Sequence, residues 1–121
     1  MPINHAFELS HEIERLSQQE SDNKHYLQTV GDELAAAAES LNITVEVDST
    51  GVLSVRFPIG SAPMRVTVLR GDRGFAVIVR DGKTENFQEA PQMWQHFKEK
   101  LADEILNVRQ NLNKGTQRPL P

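Results

Sequence analysis

The hydrophobic period of the chain changes twice. From Asn4 to Leu41 the apolar residues Leu9, Ile13, Leu16, Leu27, Val30, Leu34, Ala37 and Leu41 follow steps of three and four, the spacing of one stripe along a helix. The stripe passes through Glu20 and Asn23, so it turns polar across "SQQESDNK". Two arrangements satisfy this pattern. One helix runs through with a solvated waist, or the helix is split near residues 20–23 by a turn at Ser21, Asp22 and Asn23. A single helix of this span is about 55 Å long, against about 20 Å for a six-residue strand. Only the half from about Lys24 to Leu41 therefore lies fully on a sheet, and the first half folds back or projects toward a second chain.

After Asn42 the period becomes two. "ITVEV" (43–47), "VLSVRF" (52–57), "MRVTVLR" (64–70) and "FAVIVR" (75–80) are rich in β-branched residues and predict four strands. "DSTG", "PIGSAP" and "GDRG" between them are turn sequences. Asp81-Gly82 is a further hairpin signal, returning the chain along "KTENF" as a short fifth strand. Connections this short force antiparallel neighbours, so the sheet is expected to be a meander.

The period returns to that of a helix after "EAP". Pro91 suits a first helical turn, and Trp94, Phe97, Leu101, Ile105, Val108 and Leu112 form its apolar stripe. Lys100 stands four residues before Glu104, at ion-pair spacing, and Gly115 marks the stop. The expectation is a two-layer α+β sandwich: an N-terminal helix, a four- to five-stranded antiparallel meander and a C-terminal helix on the same face. Residues 1–115 form one domain, and 116–121, ending in "TQRPLP", a disordered tail.

Parity separates the two faces of the sheet. Ile43, Val45, Val47, Leu53, Val55, Phe57, Met64, Val66, Val68, Phe75, Val77 and Val79 form one apolar set, which the helices should cover. The other set reads Thr44, Glu46, Val52, Ser54, Arg56, Arg65, Thr67, Leu69, Ala76, Ile78 and Arg80. Val52, Leu69 and Ile78 are more apolar than a solvated face needs, and arginines surround them. An apolar centre with a charged rim is the pattern of a recognition surface.

Charge sharpens this picture. The 121-residue chain carries a net charge of −4, unevenly spread. Residues 1–50 hold ten acidic and two basic side chains, whereas 51–83 hold six basic and two acidic. An acidic helix is thus followed by a basic sheet, a dipolar arrangement that biases encounter with charged partners. There is no cysteine, which rules out disulfide and thiolate chemistry and fits a cytoplasmic setting. The N-terminus lacks the basic and apolar regions of a signal peptide, and no apolar run approaches the roughly 20 residues of a membrane span.

Motifs for chemistry are weak. "HEIER" at 11–15 fails as a zinc motif because Arg15 stands where a second histidine is needed, leaving His11 with Glu8 and Glu12 as an acidic face. His5, His25 and His96 share no spacing with a nucleophile and a carboxylate. "GDRG" (71–74) lies between two strands and cannot aim a helix N-terminus at phosphate, and "RGD" (70–72) is too short to carry weight. No enzyme, cofactor or metal site is expected.

Two resemblances concern outline only. The order helix, meander, helix, with "GVLSVRF" followed later by "GS", resembles the frataxin-like sandwich, in which an acidic first helix and an exposed sheet face serve iron–sulfur assembly. That family's meander is about one hairpin longer and carries a tryptophan, whereas Trp94 here lies on the last helix. In size and acidity the chain is similar to the secretion chaperones of type III systems, which interrupt the sheet with a helix. Neither outline brings a residue motif with it.

The reading that follows is a non-catalytic binding or regulatory protein: an adaptor, a chaperone-like protein or an inhibitor. Its exposed face, with Arg56, Arg65, Leu69, Ile78 and Arg80 as contact residues, engages another protein or a second copy in a homodimer. The alternative is nucleic-acid binding through Arg56, Arg65, Arg70, Arg73, Arg80 and Lys83. Against it, no aromatic side chain for base stacking falls on the outward parity.

Overall fold

The computed structural model describes residues 4–60 and 62–116, and the expected tail beyond Thr116 lies outside the described residues. A long helix α1 (His5–Ala36) and a short helix α2 (Ala38–Leu41) precede five strands: β1 (Thr44–Val47), β2 (Val52–Arg56), β3 (Met64–Val68), β4 (Phe75–Ile78) and β5 (Thr84–Phe87). Helix α3 (Ala90–Thr116) closes the order. The strands form one open antiparallel sheet in sequence order, β1-β2-β3-β4-β5. The domain is α+β, as the alternation of periods predicts, and "KTENF" does supply the fifth strand.

Helix α1 begins where the Asn4 side chain accepts the Phe7 N–H at 3.1 Å, satisfying one of the free donors of the first turn. It then runs unbroken through residues 20–23. Of the two arrangements the unbroken helix is the one formed, and the interruption falls at Ala37, after which a left-handed Asn42 ends α2 and starts the sheet. The polar segment holds together because it has partners. Glu20 accepts the Gly71 N–H at 2.8 Å, Lys24 pairs with Glu20 at 3.2 Å, and Arg15 pairs with Asp72 at 3.2 Å. This waist of the helix is thus bound to the β3–β4 turn rather than solvated.

Both helices cover the same face of the sheet. Helix α1 lies over β1–β3 and α3 over β4 and β5. Between them Leu53, Val55, Val66, Phe75 and Val77 from the strands meet Leu27, Met93 and Phe97, all sealed from solvent. Burial of each large side chain is worth roughly 1.5–3 kcal/mol, which makes this layer the main stabilising element. Two glycines set how closely α1 sits. A Cβ on Gly31 would overlap Val47 Cγ2, and one on Gly71, at φ +67°, would press on Leu16. Small residues at these points let the helix come down on β1 and on the β3–β4 turn.

The 32-residue helix is about 48 Å long and outruns the sheet. Arg15 and Leu16 are the last residues toward its N-terminus to touch the turn, and beyond them Ile13, Leu9 and Phe7 are exposed. Of the two options for the first half, the helix projects.

Two carboxyl groups in this frame have pKa values held below the ordinary ones, so they stay ionised to lower pH. Glu20 is lowered first by the Gly71 N–H and then by Lys24, and Asp48 by the Thr50 hydroxyl and the N–H groups of the β1–β2 turn. A lowered folded-state value means that each contributes stability fully present above its ordinary value, 4.5 for Glu20 and 3.8 for Asp48. That contribution drains away as pH falls through the lowered value. Glu20→Gln is therefore expected to reduce the loss of unfolding free energy between neutral pH and pH values below 4.5, checked by urea titrations along that range.

Candidate docking face

The registers place the outward side chains in rows across the sheet. One row runs Glu46, Ser54, Arg65, Ile78, Thr84, and the next runs Val52, Thr67, Ala76, Asn86. Leu69 follows one step further along β3, where its N–H bonds Gly74 O at 2.8 Å. Val52, Ser54, Thr67, Leu69, Ala76 and Ile78 are each half-buried, and neither helix lies over them. Their sizes make a shape. Ser54, Thr67 and Ala76 are small and form a floor, while Val52, Leu69, Ile78 and Arg65 stand higher around it. A shallow depression lined by Leu69, Arg70, Asp72, Arg73, Asn86 and Gln88 continues this trough past the β3–β4 turn.

The sequence-predicted residues do not all meet here. Arg65 and Ile78 are direct cross-strand partners, and Leu69 borders the same trough one row beyond Thr67. Arg56 is exposed at the edge of the face, opposite Thr44. Arg80 departs. Strand β4 ends at Ile78, so the alternation no longer governs it. Its guanidinium donates to Ile59 O at 2.6 Å and Ala62 O at 3.1 Å, pairs with Glu104 of α3 at 3.0 Å and lies 4.8 Å over the Phe57 ring. It ties the β2–β3 loop to α3, and it takes Glu104 away from the expected partner Lys100.

The remaining cations of the basic stretch stay available. Arg56, Arg65, Arg70 and Arg73 are exposed and form no ion pair with any described residue, although the Arg70 charge adds to those that hold the Glu20 carboxyl low. Lys83 reaches Asp81 only at 4.0 Å, at an exposed turn.

No family model, curated protein or solved structure matches this chain. The outlines shared with the frataxin-like sandwich and the type III chaperones thus add nothing to what the geometry says.

Other hollows are less promising. A polar one near the start of α3 is lined by Arg15, Gln19, Asn23, Asp72, Gln88 and Glu89. Its groups mostly satisfy one another: Gln19 donates to Asn23 at 3.1 Å, Arg15 to Asp72, and Gln88 to Asp72 O. Asn23 Nδ2 has no partner, but it is sealed from solvent and so offers nothing to a ligand. A narrow apolar groove between the helices, bounded by Tyr26, Val30, Leu34 and Trp94, accounts for the half-buried tryptophan. His11, from the failed zinc motif, stacks edge-on against Phe7 with ring centres 4.4 Å apart. Among the described residues no three metal-ligating side chains gather.

Nothing in the alternation signals the role of Arg80, because the strand end that frees it is not encoded there. Arg80→Ala should lower stability by about 1–3 kcal/mol, since it leaves loop carbonyls and a half-buried Glu104 without their donor. Denaturant unfolding measures this, and Arg56→Ala, at an exposed position, should stay within about 0.5 kcal/mol of wild type.

Proposed function

We propose that this protein works without catalysis, as a small binding or regulatory protein of the adaptor, chaperone-like or inhibitor type. Its outer sheet face engages another protein or a second copy of the chain. One observation carries the reading: the helices cover a single face, and the bare one combines an apolar trough with arginines that have no intramolecular partner. Solvated sheet faces do not need Leu69 and Ile78, and a structural arginine would have found a carboxylate. Arg56, Arg65, Leu69 and Ile78 are the contact residues of this proposal, whereas Arg80 acts by shaping the loop behind them. The cysteine-free composition suits a reducing cytoplasm. Among the described residues no helix is long and apolar enough to cross a membrane.

Nucleic-acid binding is the rival, favoured by the four unpaired arginines. The aromatic rings that single-stranded bases would stack on are elsewhere: Phe75 is sealed in the core and Phe57 lies beneath Arg80. This rival requires retention on an oligonucleotide at low salt, lost when Arg65→Glu is combined with Arg73→Glu and steeply reduced by added salt.

The protein-docking reading is checked by comparing wild type with Leu69→Asp and Ile78→Asp. Each variant should keep the wild-type circular dichroism spectrum and weaken association by about tenfold or more, the loss of one buried apolar contact. Association of unchanged strength in both variants contradicts the reading.

A further inference from the structure

The overhang of α1 and the bare face of the sheet match each other in shape, length and charge. We propose that the occupant of the outer face is a second copy of this chain. The projecting segment His5–Glu14 of each copy lies on the outer face of the other, forming a two-fold symmetric dimer. The inference rests on the outer face being a docking surface, and it names the partner.

The apolar stripe supplies the first argument. Leu9 stands about five helical turns before Leu27 and so points the same way, toward the sheet side of α1. Ile13 lies close to that line. Leu27 is fully buried, whereas Leu9 is 61% and Ile13 54% exposed, because the stripe continues past the last residue of its own sheet. A stripe that runs off the end of a core needs a second surface in the same plane to cover it.

Length and shape supply the second. His5 to Glu14 measures about 15 Å, and a five-residue strand about 17 Å, so the overhang spans most of one sheet. Thr67 and Ala76 are small direct cross-strand neighbours, so Val52, Leu69 and Ile78 around them are the apolar high points that Leu9 and Ile13 would meet. Charge supplies the third. Glu8 and Glu12 flank the Leu9–Ile13 side of the overhang, Glu12 in contact with Arg15, and the face it would meet carries Arg56 and Arg65, with Arg70 and Arg73 on the turn that the overhang crosses.

The geometry closes on itself. Two sheets set end to end at their β3–β4 turns, one flipped relative to the other, bring each overhang over its neighbour's outer face with the Leu9–Ile13 side down. One rotation axis relates both contacts, so nothing remains to propagate a fibre. Pairing the two overhangs helix to helix would instead set Glu8 and Glu12 near their own copies, an unfavourable arrangement.

Sedimentation equilibrium of the full chain tests this, using two single variants and one charge exchange. Wild type should dimerise, more weakly as salt rises, and both Ile13→Asp and Leu69→Asp should raise the dissociation constant about tenfold or more. Ile13 is exposed in the single chain, so its loss leaves the fold intact. The Glu8→Lys, Glu12→Lys double variant and the Arg70→Glu, Arg73→Glu double variant should each be monomeric. Mixed together they should form a heterodimer, since each helix then meets a face of opposite charge. A monomeric wild type overturns the inference while leaving the docking face to a different protein. A dimer sensitive to Leu69→Asp but not to Ile13→Asp also overturns it and keeps the face. A dimer sensitive only to Ile13→Asp overturns the inference too, since the overhangs then pair without the sheet face, and it leaves that face to a different protein.

Discussion

Leu53, Val55, Val66, Phe75 and Val77 project from one side of the sheet into a layer shared with Leu27, Met93 and Phe97, and this packing constrains the rest of the molecule. A strand places successive side chains on opposite faces, so burying this set commits Ser54, Arg65, Thr67, Ala76 and Ile78 to the other side. Both helices bring their apolar stripes to the same layer, and none is left for the second face. The asymmetry of the domain is a consequence of where its hydrophobic residues stand.

The length mismatch between helix and strand follows from the same layer. A helix that must bury Leu27 and Val30 over β1–β3, and that has no break near its middle, extends beyond a sheet of four- and five-residue strands. The β3–β4 turn then becomes the last support. There the Gly71 N–H, Asp72 and the space above a side-chain-free Gly71 receive Glu20, Arg15 and Leu16. Polar groups placed in line with a buried stripe serve as the fastening between helix and turn, and they make it sensitive to acid.

How far the sequence shows all this depends on the range of the interactions. The strands, their meander order and the inward set follow from alternation and short turns, which are local. The stripe of α3 was equally legible, apart from Met93, which takes a fully buried place beside the half-buried Trp94. The continuity of α1 was left open. "SQQESDNK" is polar enough for a turn, and it stays helical through pairs one turn apart, Glu20 with Lys24 and Gln19 with Asn23, together with partners some fifty residues away at Gly71 and Asp72. Arg80 was misplaced for a related reason: parity assigns it outward, but β4 ends before it and the carbonyls of Ile59 and Ala62 claim it. Ile78, Arg56 and Arg65 were legible because a regular strand fixes their direction, and Leu69 because its N–H bond to Gly74 O extends the β3–β4 pairing by one residue. Local rules thus located the face, and long-range contacts decided which arginines remain on it.

Neighbouring positions on β3 offer the most direct test of this two-sided layer, because the chain contains no cysteine. Thr67→Cys and Val66→Cys each introduce one thiol, on opposite faces of the same strand. Maleimide labelling of dilute native protein should modify the first quickly and the second only at the rate of unfolding. Equal protection of both thiols in the monomer would show that the outer face is covered by the chain itself, and would contradict the arrangement on which the docking surface depends.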